Sequence, residues 1–532
     1  MINLYVNRPE HRYETENICR LFFPSEKLSE AQKPQKQTAV PADTNDNAAA
    51  NSQNNDTEKR LQSNDIAVNV TFDKDDKDDK DDKDGKRSGK LLITAEVFAK
   101  GERIIFSENT DITGDEEKDE KTAELAGGRC LYKAFSKICG FSPKWGILTG
   151  VRPEKLWSAK SEALGKSTAE QLFRNDYLVS KEKIELCEKA HIADKRAAAL
   201  SKPDSFSLYV SVPFCPSRCK YCSFVSHSIA SAGKLVPDYV ELLCKEIEAT
   251  AKAAKNLGLK LSTVYFGGGT PTQFSAEQLD KVLCAVENSF NMSDALEYTV
   301  EAGRPDTVTA EKLSCLKSHG VGRISINPQT LSNAVLAEIG RKHTVEQFYE
   351  AFALAKKTGF DTVNTDIIAG LSGDTAEGFF KTLEGIISLD PENITVHTLS
   401  MKRSSSYVSN GEGIYSAKGD AVSDMVIGSS KMLEDAGFSP YYLYRQSKCL
   451  GNHENVGWSK EGHDCLYNIY MMNEVHSVLA VGAGAVSRLK DPFGNHIERI
   501  FNFKYPYEYI NRFDEILKRK ERIGEFYERY PV

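Results

Sequence analysis

Apolar positions in the chain fall into two regimes. From residue 206 onward, short apolar runs recur at 206–212, 262–266, 296–302, 321–326, 361–368 and 393–399. Between them lie stretches with apolar residues three or four apart, at 236–256, 276–290, 345–358 and 377–389. The first pattern reads as buried strands and the second as amphipathic helices. Repeated βα units of this length predict an α/β fold: a parallel sheet with right-handed crossovers, forming a partial TIM-like (β/α)6 barrel. In that architecture chemistry gathers where strands end.

Before residue 200 the pattern is shorter and broken. Residues 1–6 alternate as a strand, and 11–23 read as a helix stopped by Pro24. Residues 66–71 alternate again, 91–98 with 103–107 read as a hairpin turning at Gly101, and 125–139 as a helix. The intervening tracts, about 28–65, 73–90 and 110–121, are rich in Asp, Lys, Asn and Ala, with a Lys-Asp-Asp repeat in the second. They hold too little apolar surface to offset chain entropy and are expected to be disordered inserts. The division expected is a small α+β domain at 1–150, a helical linker at 151–204, the barrel at 205–440 and a C-terminal α/β extension at 441–532. That extension carries a small-residue run with Gly482 and Gly484, placed under the substrate or in close packing, and an amphipathic helix over 507–527.

The 532 residues are 40% apolar, enough for real cores, and a net charge of -8 gives no reason to expect nucleic acid. No apolar run reaches the about 18 residues of a membrane span. The start of the chain lacks the basic and apolar regions of a signal peptide. With twelve cysteines, these features suggest reduced thiols in a cytoplasm.

Three of those thiols lie just past the first barrel strand, as Cys215, Cys219 and Cys222 in a C-x3-C-x2-C pattern. A zinc site would want a fourth ligand, and no matching second motif is present. Three thiolates suit three corners of a [4Fe-4S] cluster, leaving one iron open. After the second strand comes Gly267-Gly268-Gly269-Thr270-Pro271-Thr272, where absent side chains let backbone approach a ligand. Spacing and order resemble the radical S-adenosylmethionine (SAM) enzymes, in which the open iron chelates SAM and the glycine turn holds its amino group.

The remaining strand ends carry polar groups. Glu301 can accept hydrogen bonds from ribose hydroxyls, or pair with Arg304 or a barrel lysine. Gln329 offers an amide that donates and accepts, and Asn327-Pro328 also suits a helix start. Arg341 is suited to a carboxylate, and His343 reads as a cap or surface residue. Asp366 interrupts an apolar run and so must be paired or face a polar site. His397 lies near the end of the sixth strand and Ser400 follows it. Outside the barrel motifs, Arg152 reads as a surface ion pair or an anion clamp, and Cys449 and Cys465 as buried thiols.

From Tyr209-Val210-Ser211-Val212-Pro213-Phe214-Cys215, through the glycine turn and Asn327-Pro328-Gln329-Thr330, to Asp366-Ile367-Ile368-Ala369-Gly370-Leu371, the chain resembles the oxygen-independent coproporphyrinogen III oxidase family, of HemN, HemW and HemZ types. The long N-terminal part, 441–446 and 451–457 are most similar to the HemZ branch. The resemblance implies that Cys215, Cys219 and Cys222 hold a [4Fe-4S] cluster and that Tyr209, Gly268 and Glu301 contact the SAM on it. For a second SAM it implies Tyr221, Gly269, Thr270, Gln329, Arg341, Asp366 and Ser400. It further implies oxidative decarboxylation of two propionates of coproporphyrinogen III to vinyls in haem biosynthesis, with a flavodoxin or ferredoxin as electron donor. Arg304, Arg341, Arg445 and Lys448 are candidate partners for the acidic substrate. Decarboxylating members carry a fourth cysteine two residues after the third, and here Phe224 stands at that position. A haem-binding chaperone of the same superfamily is therefore the alternative.

Overall fold

Near-continuous apolar runs become strands covered on both faces, and that holds the barrel together. The computed structural model describes residues 1–24, 26–31, 66–74, 80–81, 87–222, 226–400, 419–446 and 449–532. These divide into two units, Met1–Gly150 with Ala159–Glu185, and Val151–Ser158 with Leu186–Val532. The expected linker at 151–204 is thus shared between the units. The helices Pro153–Leu164 and Lys181–Ala198 are each divided between the two units, after Ser158 and after Glu185.

The first unit is built on a sheet of β1 (Ile2–Val6), β2 (Leu28–Glu30), β3 (Ile66–Lys74), β4 (Lys80–Asp81), β5 (Arg87–Ala99) and β6 (Glu102–Ile112), with the order β2-β1-β3-β5-β4 and β6 beside β5. Gly101, at φ +78°, turns the long β5–β6 hairpin as expected. The expected disorder at 110–121 is corrected, because those residues end β6 and open the helix Glu116–Cys139. Asp115 caps it by accepting from the Lys118 amide, and Asp119 accepts from the Thr113 and Gly114 amides at 2.9 Å each. Acidic residues that read as a solvated tract serve the positive end of a helix. Residues 28–30, 73–74, 80–81 and 87–90 also lie in strands. Ala31 follows β2 and donates to the Leu4 carbonyl at 2.9 Å, and the rest of the first two expected inserts falls outside the described residues.

The second unit contains the predicted barrel. Its strands are β7 (Ser205–Val212), β8 (Phe214–Cys215), β9 (His227–Ser228), β10 (Lys260–Gly268), β11 (Glu297–Glu301), β12 (Arg323–Ser325), β13 (Thr362–Ala369), β14 (Asn393–Thr398), β15 (Ser439–Arg445), β16 (Glu454–Ser459), β17 (Ser477–Val481), β18 (Val486–Lys490) and β19 (Ile497–Phe501). Neighbours run β15-β16-β14-β13-β12-β11-β10-β7-β17-β18-β19, and all pairs from β14 through β7 to β17 are parallel. The helices Ala276–Ser289 and Val345–Thr358 begin with full capping boxes, Ser275 with Gln278 and Thr344 with Gln347.

The C-terminal extension is not a separate body. β15 and β16 extend the sheet antiparallel beyond β14, and β17 lies against the outer edge of β7. The helix expected over 507–527 is two, Pro506–Asn511 and Phe513–Arg529, broken at Arg512.

Candidate functional site at the strand ends

The cysteine loop leaves β7 at Val212 and is clamped by residues that follow β11 and the helix Asn333–Glu338. Arg304, three residues past Glu301, is held by Asp306 at 3.1 and 3.2 Å and donates to the Ser217 carbonyl and hydroxyl. The same guanidinium points at Cys219 Sγ, 3.7 Å away. Arg341 donates to the Tyr221 hydroxyl at 3.3 Å and to the Asn327 carbonyl, and it too engages Cys219. Lys220 N donates to the Ile339 carbonyl at 3.0 Å, and the Thr270 hydroxyl donates to Cys215 Sγ at 3.5 Å. None of the twelve cysteines is in a disulfide. Residues 223–225, with Phe224, lie outside the described residues.

The glycine turn works as a support for this loop. Gly269 N donates to the Val212 carbonyl at 2.7 Å and Thr270 N to the Phe214 carbonyl at 2.8 Å. A Cβ on Gly269 would stand 2.7 Å from the Phe214 carbonyl oxygen and 2.8 Å from that of Val212. Gly268, at φ +104°, takes a backbone conformation that favours glycine. Gly267 faces the other way, and a Cβ there would meet Tyr265 and Glu301.

Glu301 ends β11 and accepts from the Tyr265 hydroxyl at 2.6 Å. Burial, with Asp366 adding to it against the Tyr265 bond, pushes its carboxyl up from 4.5 to about 7. Tyr209 and Tyr265 both stack on Tyr467, with ring centroids 6.0 and 4.4 Å away. Asp366 accepts from Asn364 at 2.8 Å and meets His397 Nε2 at 3.5 Å. Burial would raise the Asp366 carboxyl, but the His397 contact outweighs it and holds the group below its usual value, while His397 is raised. Gln329 sits at φ +71°, donating from its amide to the Asp366 carbonyl and so carrying β12 on beside β13.

Most of the expected positions lie at the C-terminal ends of strands or in the segments that follow them, while Tyr209 and Asp366 lie within β7 and β13. Tyr209 with Glu301, Tyr221 with Arg341, Thr270 with Cys215, and Gln329 with Asp366 are brought together. Ser400 stands past β14, bridged to Cys449. His343, expected at a cap or surface, is 2% exposed, and burial with Arg341 and Arg304 beside it drives its pKa down to about 3. Arg445 is buried near Glu454 and Cys449, and Lys448 lies outside the described residues. Arg152 is ion-paired to Glu474 at 2.7 Å, the commoner fate considered for it. A cavity of about 1070 Å3 opens at the opposite end of the strands, lined by Glu297, Arg323, Asp361 and His463, away from these groups.

Residues 209–386 match the radical SAM superfamily. Over 396 residues the chain is 40% identical to the oxygen-independent coproporphyrinogen-III oxidase-like protein HemZ of Bacillus subtilis, covering 73% of this chain and 79% of that protein. The chain belongs to this radical SAM family. A second relative is the heme chaperone HemW of Haemophilus influenzae, 30% identical over 58% of this chain and 77% of its own length. The solved coproporphyrinogen III oxidase (HemN) of Escherichia coli aligns over 62% of this chain and 73% of its own, at 21% identity and TM-score 0.48.

The radical SAM domain implies a [4Fe-4S] cluster and SAM, and the residues present fit them. Three undisulfided thiols share one loop, two guanidiniums reach one of those thiols, and the adjoining turn admits no side chain at Gly269. Among the described residues, no helix is long and apolar enough to cross a membrane. Tyr265 and Tyr467 were not among the expected site residues, nor was the pairing of His397 with Asp366. Their signal is weak in sequence because each acquires its place through a strand or helix distant in the chain.

Proposed function

We propose that this chain is a radical SAM oxidoreductase that converts propionate side chains of coproporphyrinogen III to vinyls. The observation that carries the reading is the set of barrel groups, Tyr209, Glu301, Gln329 and Asp366, arranged beside a three-thiol loop that two arginines clamp. Cys215, Cys219 and Cys222 would hold the cluster, and Tyr209, Gly268 and Glu301 the SAM upon it. Tyr221, Gly269, Thr270, Gln329, Arg341, Asp366 and Ser400 would meet a second SAM. Bound there, cluster and SAM supply a 5'-deoxyadenosyl radical, which takes a hydrogen atom from carbon.

Glu301 accepts hydrogen bonds from ribose hydroxyls, the stacked Tyr209, Tyr265 and Tyr467 keep water from that side, and Arg304 and Arg341 offset thiolate charge. Each propionate would give a β-hydrogen atom to the 5'-deoxyadenosyl radical and then, on losing CO2, one electron to a one-electron acceptor, leaving a vinyl group. The reductant that starts each turnover is a one-electron donor of the flavodoxin or ferredoxin class.

The second reading is a haem-binding chaperone. It is favoured by Phe224 in place of a fourth cysteine, and by Arg304 and Arg341 being committed to the loop rather than free for propionates. Anaerobic assay with reconstituted cluster, SAM, dithionite and coproporphyrinogen III separates the two. Protoporphyrinogen IX and 5'-deoxyadenosine formed together, and lost in Cys219→Ala, support the enzyme. SAM cleavage without porphyrin product, with stoichiometric haem binding, moves the assignment to the chaperone.

A further inference from the structure

We propose that Glu154, His191 and Asp194 form a buried site for a divalent first-row metal ion, best suited to zinc. His191 and Asp194 are three residues apart on the helix Lys181–Ala198 and so share a face. Glu154 comes from the first turn of the helix Pro153–Leu164. One donor atom from each lies within 4.8 Å of the other two. Glu154 is 3% exposed and His191 8%, yet Glu154 Oε1 and His191 Nδ1 make no well-formed hydrogen bond. An unsatisfied buried acceptor is costly, and its persistence calls for an occupant.

The geometry suits an ion. Glu154 Oε1 and His191 Nδ1 are 3.4 Å apart, long for a hydrogen bond. It equals the edge of a tetrahedron whose metal–ligand bonds are about 2.1 Å. The basic residues flanking Glu154 are turned elsewhere, with Arg152 and Lys155 on Glu474 at 2.7 and 2.8 Å. One imidazole and two carboxylates form a borderline-to-hard donor set that binds zinc through nitrogen and oxygen, without sulfur. The ion would staple residues 151–158 to the helix residues from 186 onward, inside one structural unit.

Another cluster, Asp280, Cys284 and His319, is less suited. There both ring nitrogens of His319 are already hydrogen-bonded, to Glu287 at 2.9 Å and Asp280 at 3.0 Å.

The test uses the full-length chain with its cluster reconstituted, stripped by chelator and then equilibrated with Zn2+. Metals are counted by inductively coupled plasma mass spectrometry, and zinc is examined by K-edge X-ray absorption. One zinc per chain is expected, with a first shell of nitrogen and oxygen at about 2.0–2.1 Å. Glu154→Gln and His191→Gln are expected to weaken zinc binding at least about tenfold with iron content unchanged. A sulfur shell near about 2.3 Å would place zinc on cysteines and overturn the proposal. No retained zinc, or unaltered affinity in both variants, would overturn it too. If the variants fail to fold, the absorption spectrum of the unaltered chain decides alone.

Discussion

Replacing Glu301 by Gln should stabilise the metal-free chain, and by an amount that grows with pH. In the fold the carboxyl is raised from 4.5 to about 7, mainly by burial. A raised acid pKa means that folding favours the protonated form. Stability is therefore fully present below about pH 4.5 and is lost as pH climbs toward 7, where ionisation must occur inside the barrel. At about 1.4 kcal/mol per pKa unit, the cost approaches about 3 kcal/mol at pH 8 and about 1 kcal/mol at pH 5. Glutamine keeps the acceptor for the Tyr265 hydroxyl but cannot ionise. Urea unfolding of both proteins at pH 5 and pH 8 should show the variant gaining about 2 kcal/mol more at the higher pH. Equal gains at the two values, or a variant less stable at pH 8, would refute the burial argument. The same substitution should weaken SAM binding, because an ionised acceptor at that position is what the burial cost maintains.

Three other perturbations follow from particular contacts. Lys520→Met removes the cation 2.8 Å from Glu246, and both side chains are at most 4% exposed. A loss of about 3–5 kcal/mol in urea unfolding is expected. Gly269→Ala drives a Cβ against the Phe214 and Val212 carbonyls, and the loop bearing Cys215 must give way. Iron and sulfide retained after reconstitution should fall by at least about half, at a packing cost of about 1–3 kcal/mol. Full retention would show the approach to be harmless. His397→Gln breaks the pair with Asp366, whose carboxyl is held below 3.8 while the imidazole is held above 6.5. The Asp366 share is present above its unfolded value and lost as pH falls through its folded one, whereas the His397 share is complete below 6.5 and lost as pH rises past its folded pKa. The variant's deficit in thermal stability should be largest between about pH 4 and 6.5 and shrink above. A deficit independent of pH would count against the pair.

The barrel was legible because its strands are buried on both faces. β7 and β13 each expose only one residue partly, and although Ser207, Ser211, Asn364 and Asp366 interrupt them, their apolar residues mark strands of about the predicted length. The cysteine spacing and the strand-end acids could be placed by motif order. Pairing across distance could not. Tyr467 comes from the helix Leu466–Asn473 to stack against both Tyr209 and Tyr265, which also stack on each other, and no period in its own segment announces that role. Composition also misled at 110–121, where acidic residues signal disorder and helix N-termini alike, and only the acceptor geometry of Asp115 and Asp119 distinguishes them.

The C-terminal extension bears directly on the site, because it completes the strand that carries the cysteines. β17 pairs with β7 from Ser477 opposite Phe206 to Val481 opposite Val210, covering an edge that a barrel ending near residue 440 would leave open. Ser211, one residue before β7 ends, donates to the Ala483 carbonyl at 2.8 Å. Behind it, the fully buried Glu246 accepts from Gly482 N, Asn502 and Tyr509 and pairs with Lys520. All four partners come from beyond residue 480. Without them the carboxylate would be buried with no counter-charge, a loss of several kcal/mol in the helix that packs behind β7, about the scale of breaking a buried ion pair. The cysteine loop is thus positioned by residues up to the last helix, and the small-residue run at Gly482 and Gly484 serves that bracing. A Cβ on Gly482 would meet the Ser211 carbonyl at 2.5 Å, so close packing against β7 is what keeps glycine there.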